Sequence, residues 1–324
     1  MKTFLGVDGG GTQTRFVLID ETGKVLASHL EGPAYYLEIG LDALRGMLTR
    51  GIGNTLRQGH VREEDLSQAF LGLPAYGEDS KLLPALDAAP AQALPHGRYR
   101  CDNDMVCGWA GALAGADGIN IVSGTGSIGY GEFAGRNARA GGWGELFSDE
   151  GSSYWLAREG LRLFSRMSDG RTPRGALYEH VRRHFALGSD LDLCAAVYGQ
   201  AIAQRSQLAQ LSRLVIAAAA DGDPATLGLL QSAVRELADI VDAVREQLRI
   251  PADVPISVSA SGGMFQPGNG LSERLESELQ RRCARYRFVA AALPPDVGAA
   301  IQAARLDGTR LGAESLAALA HATR

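Results

Sequence analysis

The sequence predicts an α/β protein of two lobes, each built on a mixed sheet, with a helical insert in the second lobe. Three observations lead there. The chain has 324 residues, 45% of them hydrophobic, enough to bury a large core and to divide into two domains. A strand-like segment runs into a glycine-rich turn three times, at Asp8, Ser123 and Ser261, as duplicated halves would. Between the second and third turns, residues 152–248 are rich in Ala, Leu, Arg and Glu, the composition of helices.

The elements follow in order. Residues 3–30 alternate strand, glycine turn, strand, turn and strand, with β-branched and aromatic residues between the breakers, and read as a β-meander. Helical spacing spans about 41–57, a short apolar strand covers 69–73, another helix follows, and the strand YRC ends at Asp102. Residues 104–114 read as helix. GINIVS (118–123) is a buried strand entering the turn GTGSIG, and YGEFAG continues in strand-like alternation, so this turn joins two antiparallel strands. The helical middle breaks near 170–173 and 221–224. ISVSA then gives a strand, SGGM a third glycine turn, 271–282 a helix, YRFVAA a strand and PPDVGAAIQAA a helix. The lobes are expected to be 1–117, joined by the C-terminal helix 311–324, and 118–310, carrying the insert at about 152–248.

Charge and cysteine usage narrow the function classes. The 32 basic against 37 acidic residues lack the basic excess of a phosphate-backbone binder, so nucleic acid is not an expected partner. Cys101, Cys107, Cys194 and Cys283 form no CxxC pair, which argues against a thiolate metal site and a secreted disulfide framework. The longest apolar run, 214–220, is too short to span a bilayer, and the first residues lack the apolar region of a signal peptide. A cytoplasmic protein with no membrane partner is expected.

Asp8-Gly9-Gly10-Gly11-Thr12 at a strand end suits a phosphate. Glycines let backbone N–H groups converge on phosphate oxygens, the Thr12 hydroxyl adds a donor, and the Asp8 carboxylate can hold Mg2+ through water. A tight hairpin would need one or two glycines, not three. Gly124-Thr125-Gly126-Ser127-Ile128-Gly129 matches GxGxxG, but a dinucleotide-binding fold requires a helix opening at the third glycine, and here a strand with Gly131 and Gly135 follows. GxxxxGK[ST] does not occur, so nucleotide binding by a Walker loop is excluded. Ser261-Gly262-Gly263 can let an adenosine approach the backbone, although SGG alone is common in loops. His180 and His184 have metal-ligand spacing, yet they flank Arg182 and Arg183 and read as a solvated helix face; Arg158, Arg162 and Arg166 form an exposed stripe.

Taken in order, Asp8 to Thr14, Asn103-Asp104 onward, Ser123 to Ser127, Ser261 to Gly263, and Gly298-Ala299-Ala300 resemble the phosphate 1, connect 1, phosphate 2, adenosine and connect 2 motifs of the actin-like ATPase (ribonuclease H-like) fold. More closely, DGGGTQT, Asn103-Asp104, SGTGS and above all GGWGELFSDEGSSYW (141–155) resemble the BadF/BadG/BcrA/BcrD ATPase and N-acetylglucosamine kinase family. The resemblance implies ATP and Mg2+, an amino sugar as acceptor, and Asp104 as the base for the sugar 6-hydroxyl. It implies nucleotide contacts from Asp8, Gly10, Gly11, Thr12, Gly124, Thr125, Gly126, Gly262 and Gly263, with Asp8 on the metal. Gly142, Trp143, Asp149 and Ser153 would meet the sugar together with Asp104. Asp102 is the competing carboxylate, and either aspartate could instead cap the following helix. A homodimer is expected.

N-acetylglucosamine is the expected acceptor and unacetylated glucosamine the alternative. Two departures bear on this. An asparagine usual after Gly-Pro is absent from Gly32-Pro33-Ala34-Tyr35-Tyr36, so a tyrosine replaces it or the substrate differs, and Ser148 stands where glycine is common. A rival in the same family is the iron–sulfur activator of acyl-CoA dehydratases, which needs cluster cysteines that this pattern does not offer. A sugar-sensing regulator would need an additional DNA-binding domain.

Overall fold

The computed structural model describes residues 1–199 and 205–322. Strands β1 (Thr3–Gly9), β2 (Thr14–Asp20) and β3 (Val25–Glu31) form an antiparallel meander. Helices α1 (Tyr36–Ile39) and α2 (Leu41–Gln58) lead to β4 (Gln68–Leu73), α3 (Leu83–Asp87), β5 (Tyr99–Asn103) and α4 (Met105–Ala112). A second meander follows, β6 (Gly118–Ser123), β7 (Ser127–Phe133) and β8 (Arg136–Gly141). The helical stretch comprises α5 (Ser153–Ser168), α6 (Ala176–His184), α7 (Asp192–Tyr198), α8 (Arg205–Ala209), α9 (Ser212–Ala220) and α10 (Pro224–Gln247). The chain closes with β9 (Ile256–Ser261), α11 (Leu271–Arg282), β10 (Tyr286–Val289), α12 (Pro295–Leu306) and α13 (Ala313–Ala322).

Two compact units result, Met1–Asp117 with Ala290–Arg324, and Gly118–Val289. In the first, the sheet order is β3-β2-β1-β4-β5, with β1, β4 and β5 parallel. Helix α2 forms because Leu44, Met47, Leu48, Ile52 and Leu56 recur at helical spacing and bury one stripe. That stripe belongs to one core with Leu5, Phe16, Leu18 and Leu71 of the sheet. Burying each such leucine completely contributes about 2 kcal/mol.

Around β1 the contacts are between backbones. A Cβ on Gly6 would lie 2.3 Å from the Ala300 nitrogen, one on Gly298 2.2 Å from the Gly111 nitrogen, and one on Gly111 2.6 Å from the Pro294 carbonyl. Only glycine permits β1, α4 and α12 to pack this closely. This contact also corrects the expected lobe boundary: residues 290–310, assigned from sequence to the second lobe, pack in the first unit because the small-residue face of α12 lies on β1 and α4.

The second unit repeats the strand order, β10-β9-β6-β7-β8, again with an antiparallel meander and two parallel strands. The long helix α10 starts at Asp223, whose Oδ1 accepts from the Ala225 and Thr226 N–H groups, with Pro224 at the first helical position. Its buried face, including Leu237, Val241 and Val244, shares a core with Ile119, Ile121 and Val258 of the sheet. Helices α5, α6 and α9 contribute to a separate core, in which the Phe164 and Tyr178 rings stack 5.4 Å apart. The strand after Gly126 is antiparallel to β6, as expected of a hairpin and not of a dinucleotide-binding turn.

Candidate active site

In the first unit, the sheet register sets Asp8 of β1 beside Gly72 of β4, and Gly72 beside Asp102 of β5. A Cβ on Gly72 would lie 2.3 Å from the Cys107 sulfur and 3.0 Å from the Asp104 Cα. Glycine at 72 therefore lets the start of α4 settle onto β4 next to Asp8. Helix α12 carries Asp296 in its first turn. Burial raises the Asp8 carboxyl to about 8, and the neighbouring charges of Asp104 and Asp296 add to the rise, while Arg15, opposite on β2, pulls it partly back.

The two candidate bases differ in their surroundings. Asp102 Oδ1 accepts from the Asn103 N–H at 2.8 Å, and its Oδ2 lies 3.5 Å from Arg100 Nη2. Asp104 has helical dihedrals, φ −61° and ψ −22°, and makes no side-chain capping bond. Capping falls to Asn103, whose Oδ1 accepts from the Met105 N–H at 3.1 Å and whose amide donates to the Tyr76 carbonyl at 3.2 Å.

Gly9, Gly10 and Gly11 do not use left-handed backbone; closeness is what they provide. A Cβ on Gly9 or Gly10 would lie 2.7 Å from a backbone carbonyl, of Gly72 and Gln13 respectively, whereas nothing comes within 4 Å of one on Gly11. Gly11 and Thr12 are exposed. The turn is braced from outside: the Ala34 N–H donates to the Gly10 carbonyl at 2.9 Å, and Thr14 Oγ1 to the Gly32 carbonyl at 2.8 Å. Of the two tyrosines that follow Pro33, Tyr36 is buried with its hydroxyl 3.4 Å from the Ala75 carbonyl, and Tyr35 packs against the same core.

In the second unit, the Gly124–Gly126 turn is held by the segment after it. Ser123 Oγ donates to the Gly151 carbonyl at 2.9 Å, Ser127 Oγ to the Glu150 carbonyl at 2.7 Å, and the Ser153 N–H to the Gly124 carbonyl at 2.8 Å. Ser152 caps α5 by accepting from the Trp155 N–H. The DEGSSYW segment thus clamps the turn through its backbone. Gly262 packs there too: its φ is +102°, and a Cβ would lie 2.4 Å from the Ser123 carbonyl. Gly263 opens a short 3-10 turn with nothing within 4 Å of its Cβ position.

Asp149 is 2% exposed and has φ +58°. Its Oδ1 accepts from the Ser127 N–H at 3.3 Å and its Oδ2 from Arg205 Nη2 at 2.5 Å. Burial raises its pKa and Arg205 opposes the rise. Ser148, flagged by its departure from the glycine pattern, is not left-handed; the strained residue is Asp149 itself. Gly142 has φ +69°, and its carbonyl accepts from Arg139 Nη2 at 2.8 Å. Trp143 is 70% exposed, beside exposed Leu146 and Phe147, and so is not core filling, whereas Trp155 packs against the core of the insert.

The structure thus brings together Asp8 and Asp104 in one unit, and Gly124, Thr125, Gly126, Asp149, Ser153 and Gly262 in the other. Three residues escaped the sequence reading: Asp296, Glu145 and Arg205. Asp296 looks like an ordinary charge in a first helical turn, and Arg205 lies in the insert, 56 positions from its partner. His180 Nε2 lies 2.7 Å from Asp221 Oδ2, and Arg158 and Arg162 pair with Glu159. Burial pushes the thiols of Cys101 and Cys107 up, Cys194 is exposed, and Cys283 is half-buried. Among the described residues no group of three His, Cys, Asp or Glu side chains could hold a metal ion, and no helix is long and apolar enough to cross a membrane.

Residues 5–303 match the BadF/BadG/BcrA/BcrD ATPase family. The chain belongs to that family. It is 27% identical over 313 residues to an N-acetyl-D-glucosamine kinase of Dictyostelium discoideum, covering 93% of this chain and 98% of that one. It is also 27% identical over 293 residues to an N-acetylmuramic acid/N-acetylglucosamine kinase of Clostridium acetobutylicum, covering 89% and 94%. A Chromobacterium violaceum structure named for N-acetylglucosamine kinase superposes with TM-score 0.70 at 27% identity, covering 93% of this chain and 98% of that one. Two mixed five-stranded sheets with one strand order are the actin-like ATPase fold.

Proposed function

We propose that this family member is an ATP-dependent sugar kinase acting on the 6-hydroxyl of N-acetylglucosamine. The observation that carries the reading is Asp104, a half-buried carboxylate beside Asp8 that does not cap its own helix. Asp104 accepts the proton of the sugar hydroxyl as that oxygen attacks the γ-phosphate. Donors from the Gly9–Thr12 turn neutralise charge that builds on the phosphate oxygens. Gly142, Trp143, Asp149 and Ser153 orient the sugar, with the indole taking its apolar face.

Mg2+ fits Asp8: burial and the like charges of Asp104 and Asp296 raise that carboxyl to about 8, a cation offsets that negative charge, and Mg2+ keeps several waters and binds through one or two carboxylates. When bound it would shield the phosphate charge and help align the triphosphate.

A coupled assay of ATP consumption against N-acetylglucosamine, glucosamine, N-acetylmuramic acid and glucose tests the proposal. N-acetylglucosamine should give the highest kcat/KM, and a chain that phosphorylates none of the four is not this kinase. Asp104→Asn should lower kcat by about a thousandfold or more while MgATP affinity is kept; near-normal turnover would remove Asp104 as the base.

A further inference from the structure

The helical insert contributes one side chain to the glycine turn that nothing in the sequence motifs marks. Arg205, on α8, lies against the turn so closely that a Cβ on Gly126 would sit 2.5 Å from its Nη2 and 2.8 Å from Asp149 Oδ2. Two carboxylates hold it, Asp149 Oδ2 at 2.5 Å and Glu145 Oε2 at 3.2 Å from Nε. The first is nearly fully buried and the second partly exposed. The contact to Glu145 has ion-pair distance, yet the buried Nε makes no aligned hydrogen bond with any described residue. The guanidinium itself keeps 39% of its side chain exposed.

Those facts conflict with a purely structural role. A guanidinium has five N–H donors in a rigid fork, and a buried donor left without a partner is costly. Meanwhile the turn beneath it exposes glycine backbone flanked by the acidic side chains of Glu145 and Asp149, which would repel any polyanion unless neutralised. A forked cation over a glycine turn, only partly used by its carboxylates, suits phosphate oxygens.

We propose that Arg205 is a nucleotide-binding residue, contacting phosphate oxygens at the Gly124–Gly126 turn while neutralising Asp149 and Glu145. The inference rests on reading that turn as phosphate-holding, and it makes the insert part of the binding machinery. It concerns binding alone, so it can be tested without sugar and without turnover.

Titration calorimetry with MgADP, MgATP and adenosine on the full chain separates the cases. Arg205→Met should weaken MgADP and MgATP by about 10- to 100-fold, the loss expected for a hydrogen bond to a charged group, and leave adenosine affinity unchanged. Arg205→Lys should recover part of the loss. An unchanged MgATP affinity in Arg205→Met overturns the proposal, as does an equal loss for adenosine, which would mean that the turn has merely collapsed. The double variant Arg205→Met/Asp149→Asn isolates direct contact: if removing the carboxylate charge restores wild-type MgATP affinity, Arg205 acts only by neutralising Asp149 and the phosphate contact is wrong. Sugar phosphorylation that fails in the wild-type chain while these binding results hold would refute the kinase reading and spare this one.

Discussion

The two units share a strand order but handle a buried acid in opposite ways. In the first, Asp8 stands on the first strand itself, and the groups gathered around it, Asp104 and Asp296, are acidic too; its carboxyl rises to about 8 and Arg15 only partly offsets this. In the second, Ser123 ends the corresponding strand, and the acid arrives from a loop as Asp149, which Arg205 meets directly. The strands repeat while the electrostatics do not. One unit is left short of positive charge, the condition that a divalent cation relieves, and the other has been supplied with its own.

The backbones differ likewise. Gly6, Gly111 and Gly298 let β1, α4 and α12 touch without side chains between them, whereas the second sheet carries the leucines and valines of α10. The largest effect expected in the comparison is therefore steric. Gly298→Val would drive a side chain into backbone atoms 2.2 Å from its Cβ and should cost about 3 kcal/mol or more, read as a fall in the denaturant midpoint. A variant as stable as wild type would mean that α12 does not pack as described. In α10, Val244→Ala should cost less, about 1 to 2 kcal/mol, because truncating a buried valine opens a cavity but forces nothing apart.

The electrostatic contrast yields a pH signature of intermediate size. The folded pKa of Asp8, about 8, lies above its unfolded value of 3.8, so the native state keeps a proton that the unfolded chain releases. Stability from this group is fully present below pH 3.8 and is lost as pH rises towards 8. Asp8→Asn, which cannot ionise, should match wild type near pH 4 and exceed it at pH 8 by about 2 kcal/mol, a figure discounted for the group's partial exposure. Thermal unfolding without ligand, run at both pH values, checks this. Added Mg2+ should narrow the gap by stabilising wild type alone, and a variant less stable than wild type at pH 8 would contradict the raised pKa of Asp8.

The smallest effect separates binding from folding. Nothing lies within 4 Å of a Cβ on Gly11, so Gly11→Ala should leave the melting temperature within about 1 °C, a surface-sized change. If the turn holds phosphate, the KM for ATP should still rise, because the added methyl occupies the space that an oxygen would take. A lower melting temperature with unchanged KM would make Gly11 a folding residue.

Much of this molecule was legible in its residues. Alternation and glycine breaks located the first meander and the β6–β7 hairpin, and helical spacing located α2 and the breaks in the insert, because those signals depend on near neighbours in the chain. The resemblance of GGWGELFSDEGSSYW to its family pointed at the segment that clamps the second turn. Other features were illegible for a definite reason. The return of the chain at residue 290 depends on α12 meeting β1 and α4, contacts that pair Gly6 with Ala300 and Gly111 with Gly298, and no local pattern encodes a packing partner that distant. The cap of α4 was not legible either: Asp102 and Asp104 were the aspartates expected to compete for it, and only the placed backbone shows that Asn103 between them caps.

Sequence by itself determined the order of the elements, the glycine turns and the family, since each is written in short runs whose spacing obeys the geometry of helix or strand. Tertiary structure decided the charge at each turn. Asp8 acquires its raised pKa because the fold buries it and because α4 and α12 bring Asp104 and Asp296 to it, and Asp149 acquires a counter-charge only because the insert folds back to deliver Arg205. Electrostatic energy depends on distance through space and on burial, and neither is a property of position along the chain.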